Sequence, residues 1–168
     1  VAQKFRRSSV TCTGNRVEWN RRGGFVLPHG DSYNITGNFF DRSFGPALEL
    51  GAADGGVSLA TVTGNVFRRS GAHPEGEPFE DADMSCHVRL CRCDGVVVSG
   101  NSMRVGCNDG GGGVLSPDRG CIIEGCRECV VKDNVMQRGA LMTNLDVRGE
   151  NPRCLIADNV GSLAESEG

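Results

Sequence analysis

Glu49, Arg89, Glu124 and Asp146 are the residues of this chain best placed to do chemistry. They are three carboxylates and one guanidinium, and their offsets from a repeated turn put them on one surface. Paired carboxylates suit glycoside hydrolysis, one as acid and the other as base or nucleophile. A carboxylate cluster holding calcium beside an arginine base suits elimination from a uronate. His29, His87, Asp109 and Asp118 are the candidate binding groups around this strip. Asp81 and Asp83 are weak candidates for calcium, and no dedicated metal site is expected. The plain alternative is ordinary solvated charge on an exposed sheet.

The elements that position these residues come from one phrase repeated six times: an alternating apolar strand, a Gly or Asp, then Asn. It reads Val10-Thr11-Cys12-Thr13-Gly14-Asn15 at the start and Cys154-Leu155-Ile156-Ala157-Asp158-Asn159 at the end. Between them stand copies ending at Asn38, Asn65, Asn101 and Asn134, and the Asn-to-Asn intervals are 23, 27, 36, 33 and 25 residues. Such a period, with a strand-turn unit in each repeat, marks a stacked solenoid. The alternation means one buried face per strand. Gly and Asp tolerate the left-handed backbone of a tight turn. Asn can bond the backbone of its own coil or of the next one, so the six are expected to form a structural ladder.

A second short strand follows each Asn, led by Val17, Phe40, Phe67, Met103 or Met136. A third precedes each phrase, clearest in His87-Val88-Arg89-Leu90 and Gly120-Cys121-Ile122-Ile123. Leu27, Leu90 and Ile123 each lie eleven residues before a repeat Asn. With Leu50 and Val147 placed alongside by a small shift, these five point inward. Their neighbours Val26, Glu49, Arg89, Ile122 and Asp146 then point outward, with Pro28, Cys91, Glu124 and Arg148 in a flanking row. The expected fold is all-β: a parallel β-helix of about six coils with three short strands each. Crossover chirality favours the right-handed form. An antiparallel sandwich is the alternative, but it would not require the same turn Asn in every repeat.

The pattern hydrophobic-x-hydrophobic-x-x-Asn-x-hydrophobic resembles the right-handed parallel β-helix superfamily with the pectin-lyase-like fold, over roughly residues 7 to 162. That resemblance implies the fold. It does not imply one activity, because this fold carries lyases, hydrolases, epimerases and non-catalytic domains. In the lyases and hydrolases it resembles, the carbohydrate cleft lies on a face like the Glu49–Asp146 strip, bordered by long loops. The Asn-Thr-Asp, Asp-Asp and Gly-His-Gly sets of polygalacturonases are absent, as is a clear lyase Arg motif. Gly24-Phe25-Val26-Leu27-Pro28-His29 faintly resembles a stretch of the mannuronan epimerases, with an extra residue before Pro28 and without the intervening Asp.

Composition narrows the class. The 168 residues suit a single domain, 1–168, and a start at Val1 rather than Met fits an excerpt of a longer chain. Location cannot be read from such a start. A net charge of −3 gives no electrostatic case for nucleic acid, and no apolar run reaches membrane-spanning length. Aromatics are only 5%. Nine cysteines are many, and the odd count argues against a fully paired framework. Cys12, Cys121, Cys129 and Cys154 fall on inward positions. Buried free thiols, disulfides between neighbouring coils, or a zinc site on Cys126-x-x-Cys129 or Cys91-x-Cys93 are the three readings.

Two adjacent repeats are swollen, by residues 71–83 and by a stretch spanning 107–119. Both insertions fall before the strands that carry Arg89 and Glu124, so they are expected to wall that sheet. Loops on a rigid scaffold are where solenoids keep function. Residues 75–83 hold five carboxylates in nine residues, which admits calcium but lacks EF-hand spacing. Two functions follow: binding or processing of a polysaccharide on the outer face, or a non-catalytic structural or assembly module. Processing would mean a lyase, hydrolase or epimerase. The outward residues of the phrase strands change from Thr and Asn to Val97, Val130 and Leu155. This apolar stripe is expected to be covered by a terminal segment, another part of a longer chain or a second copy in a homo-oligomer.

Overall fold

The computed structural model describes residues 9–72, 81–105, 116–136 and 138–161. These residues are all-β, and the strands run parallel in four sheets. The first sheet is built from the phrase strands Val10–Thr13, Tyr33–Thr36, Thr61–Thr63, Val97–Ser99, Val130–Lys132 and Leu155–Ala157. The second holds Arg16–Glu18, Phe39–Asp41, Val66–Arg68 and Ser102–Arg104, and the third holds Phe25–Leu27, Leu48–Leu50, Cys86–Cys91, Arg119–Glu124 and Thr143–Arg148. In each sheet the strands lie side by side in chain order, so the chain visits the sheets in turn and then returns. That path fits a parallel β-solenoid. The fourth sheet, Gly30–Asp31 against Val57–Ser58, was not foreseen. It is continued by single bridges from Ser58 to Asp94 and from Asp94 to Arg127.

Alternation fixes the register, because a slip of one residue would turn every apolar side chain outward. Leu27, Leu50, Leu90, Ile123 and Val147 pair in a single row, and Val26, Glu49, Arg89, Ile122 and Asp146 pair in the next. On the second sheet Val17, Phe40, Phe67 and Met103 pair in line. Inside, the Phe40 ring stacks on Phe67 with centroids 5.0 Å apart, and Phe25 meets Phe40 edge-on at 5.2 Å. Ile35, Phe40, Leu50, Val62, Phe67, Leu90, Val98 and Ile123 are fully buried.

The turn between the first and second sheets needs a left-handed residue. Gly37, Gly64 and Gly100 have φ of 65°, 64° and 63° there, and Asp133 and Asp158 have 56° and 54°. The Asn beyond it binds three ways. The Oδ1 of Asn101 accepts from the backbone N–H of Asn65 at 2.9 Å and from its Nδ2 at 3.0 Å. The Nδ2 of Asn101 donates back to the Val62 carbonyl at 2.9 Å and forward to Asn134 Oδ1 at 2.9 Å. The same bonds link Asn15 to Asn38, Asn38 to Asn65 and Asn134 to Asn159. Asn38, Asn65, Asn101 and Asn134 are buried to 1% exposure or less.

Candidate functional site

Glu49, Arg89 and Asp146 of the charged strip lie on the outer face of the third sheet, but they are engaged in ion pairs. Arg89 Nη1 lies 3.4 Å from Glu49 Oε1 and donates to Asp81 Oδ2 at 3.1 Å. Arg148 donates to Asp83 at 2.6 Å and to Asp146 at 2.7 Å. Arg119 donates to Asp146 at 3.1 Å and to the Ala82 carbonyl at 3.2 Å. Three arginines on three successive coils thus hold the segment Asp81–Ser85 against the sheet. That segment contains a short 3-10 turn, Ala82–Met84, capped by the Asp81 carboxylate, which accepts from the Asp83 N–H at 2.9 Å.

Burial and charge set the acidities of this strip. Burial raises the pKa of Glu49, against the pull of the Arg89 charge. The hydrogen bond from Arg148 lowers that of Asp83, while partial burial opposes it. Glu124 stands one row away, in register with Cys91 and Arg148. Burial first, then the Glu124 charge, push the Cys91 thiol up. Glu49, Arg89 and Asp146 therefore share one file, while Glu124 lies beside it.

The candidate binding residues are scattered. His87 lies on the same strand as Arg89 but has no exposed surface, and neither ring nitrogen has a hydrogen-bond partner. As a candidate binding group it therefore presents no surface to solvent. Burial drives its pKa down to about 4, and the nearby backbone of Gly139, outside hydrogen-bonding geometry, offsets this only in part. His29 is exposed, with Nε2 3.8 Å from Asp54 Oδ1. The Asp118 N–H donates to Ser85 Oγ at 3.0 Å, and its carbonyl accepts from Met142 and Thr143 at 3.0 and 3.1 Å. Asp109 lies outside the described residues.

The thiols line turns and inward positions. Cys93 Sγ donates to the Leu50 carbonyl at 3.3 Å, and Cys126 Sγ to the Leu90 carbonyl at 3.7 Å, one coil further on. Cys129 Sγ accepts from the Val96 N–H at 3.4 Å, and Cys154 Sγ from the Cys129 N–H at 3.4 Å. All eight described cysteines are free thiols. Burial pushes the Cys121 thiol up to about 12, which keeps it protonated and unreactive. Among the described residues no group of three or more His, Cys, Asp or Glu side chains is arranged to hold a metal ion.

Some groups were not singled out from the sequence. Asp41, 1% exposed, is gripped by Arg69, itself 5% exposed, and by Arg42 at 2.6 Å. Arg68 pairs in register with Arg104 on the outer side of the second sheet. The available signal was the charged residue that follows Phe40, Phe67 and Met103 in successive repeats. No protein-family model matches this chain, and no solved structure matches it. No helix among the described residues is long and apolar enough to cross a membrane.

Proposed function

We propose that this chain is a right-handed parallel β-helix of the pectin-lyase-like kind, and that it binds polysaccharide on its outer faces without processing it. The observation that carries this reading is the contrast between its faces. On the third sheet Glu49 and Asp146, and on the segment against it Asp81 and Asp83, each have an arginine partner, so among the described residues of this face no two carboxylates are both left free to act as acid and base. On the first sheet, Thr11, Asn34 and Thr61 stand in one row and Thr13, Thr36 and Thr63 in the next. Rows repeating at the strand spacing of about 4.8 Å offer hydroxyl and amide groups at the intervals of an extended sugar polymer. The right hand rests on the chirality of β-crossovers.

Affinity electrophoresis through gels cast with neutral and uronate polysaccharides tests this reading. Retardation should occur without new reducing ends or unsaturated product. Product formation would restore Glu49 and Arg89 as catalytic candidates, and no retardation by any polymer would end the reading. A second reading, an assembly module, is favoured by one observation. Val97, Val130 and Leu155 pair in an outward file, and Leu155 is 51% exposed.

A further inference from the structure

The second sheet carries cations that the fold does not use. Its strands turn Phe40, Phe67 and Met103 inward, and the residues after them pair in register as Asp41, Arg68 and Arg104. Asp41 is consumed by Arg42 and Arg69. Arg68 and Arg104 have no ion-pair partner among the described residues, nor has Arg138 on the next coil. The Val105 N–H donates to the Arg138 carbonyl at 2.8 Å, which sets Arg138 beside Arg104. Its left-handed backbone, φ 54°, turns the chain out of line at that corner. Arg104 and Arg138, with Ser102 and Val135, line a cavity of about 310 Å³.

With no carboxylate partner among the described residues, the Arg104 and Arg138 guanidinium groups at this cavity brace nothing and are free to meet a ligand. The bracing arginines of this protein, Arg69, Arg89, Arg119 and Arg148, all have carboxylate partners. A guanidinium presents a planar fork that matches an oxyanion through two parallel hydrogen bonds. Coils repeat at about 4.8 Å, so a second and third fork meet charges spaced by about one sugar unit. Ser102 adds a hydroxyl and Val135 an apolar wall for a ring face. Nucleic acid fits less well, because none of the residues lining the cavity is aromatic and so none offers a base a stacking partner, and the net charge is −3.

We propose that the cavity lined by Arg104 and Arg138, with Arg68 in register on the strand before, is a binding site for the carboxylate or sulfate groups of an acidic polysaccharide. It rests on the polysaccharide reading above, and it places the ligand away from the third-sheet strip.

The test measures binding of polygalacturonate, dextran sulfate, neutral dextran and single-stranded DNA by affinity electrophoresis and titration calorimetry, at low and high salt. Polygalacturonate or dextran sulfate should bind and dextran should not, and which of the two binds tells carboxylate from sulfate. Arg104→Ala with Arg138→Ala should weaken acidic-polymer binding at least about tenfold, since bonds to charged groups are the strong ones. Arg104→Lys should recover part of the loss. Arg127→Ala, which removes a cation paired with Asp94 elsewhere on the surface, should change little. Circular dichroism confirms that each variant is folded. Equal loss in Arg127→Ala, or unchanged binding in the double variant, would overturn this site while leaving polysaccharide binding standing. Binding of dextran alone would do the same. DNA binding as tight as that of the acidic polymers would overturn the ligand class, and no binding to any polymer would overturn both proposals.

Discussion

One asparagine in this protein serves three coils. Asn101 accepts from Asn65 on one side, donates to Asn134 on the other, and bonds the Val62 carbonyl in the strand behind. Replacing it with Ala strands the Asn65 amide and a buried carbonyl. Each unsatisfied buried group costs about 1–3 kcal/mol, so Asn101→Ala should lower stability by about 3 kcal/mol in urea titration. Asn15→Ala, at the exposed end of the ladder, should cost less than about 1 kcal/mol. His87 gives a second residue-scale prediction. Its folded pKa is about 4 and its ordinary value is 6.5, so the unfolded chain binds the proton more tightly. Stability is then full above pH 6.5 and falls as pH drops toward 4. The loss approaches about 3 kcal/mol. His87→Phe should flatten melting temperature over that window. Acid effects from Asp83 come lower, below 3.8, because its folded pKa is depressed. The ladder positions were legible because a turn Asn recurs beside a period-two strand. The burial of His87 was not, because alternation along Cys86–Cys91 predicts direction and says nothing of what packs over it.

At the scale of elements, the segment Asp81–Ser85 changes the meaning of the strip beneath it. The row Val26, Glu49, Arg89, Ile122, Asp146 was legible from offsets to the turn Asn, since parallel strands at one spacing keep one register. The partners of that row were not. They come from Arg119 and Arg148 of later coils and from Asp81 and Asp83 of an insertion, and no repeat aligns an insertion with the coils that it crosses. Ile122 sits between Arg89 and Asp146 in that row, and its complete burial fits a face partly closed by this segment. With its carboxylates already matched to arginines, the segment has little to offer calcium. Millimolar calcium should leave the melting temperature unchanged. A rise of several degrees, lost in Asp81→Asn with Asp83→Asn, would mean that the ion displaces the arginines. Arg148→Ala, which takes one arginine partner from Asp83 and one from Asp146 but leaves Arg89 and Arg119 in place, should lower stability by about 1–2 kcal/mol in urea titration, the range for hydrogen bonds to partly exposed charges.

At the scale of the whole molecule, parallel strands stacked in sheets bury their middle better than their ends. Val10, Val17, Phe25 and Leu27 in the first coil, and Leu145, Cys154 and Ile156 in the last, pack on the core but keep partial exposure, because each has a neighbour on one side only. The sides differ too. Along the outer rows of the first sheet, hydroxyl and amide groups occupy the early coils, and Val97, Val130 and Leu155 occupy the later ones in strict register. Leu155 is 51% exposed, and Val97 and Val130 are half-buried. An outward apolar file on a rigid parallel sheet meets its match in the same file of a second copy, since a two-fold axis brings identical rows together. Burying it removes apolar area from water at about 25 cal/mol per Å², and no charge within the file opposes the contact. The chain should therefore self-associate at micromolar concentration, measured by light scattering. Val97→Lys with Val130→Lys puts like charges opposite each other across the axis and should leave a monomer of unchanged melting temperature, since both side chains point away from the core. A wild type that stays monomeric across that range would show that the file serves some other surface.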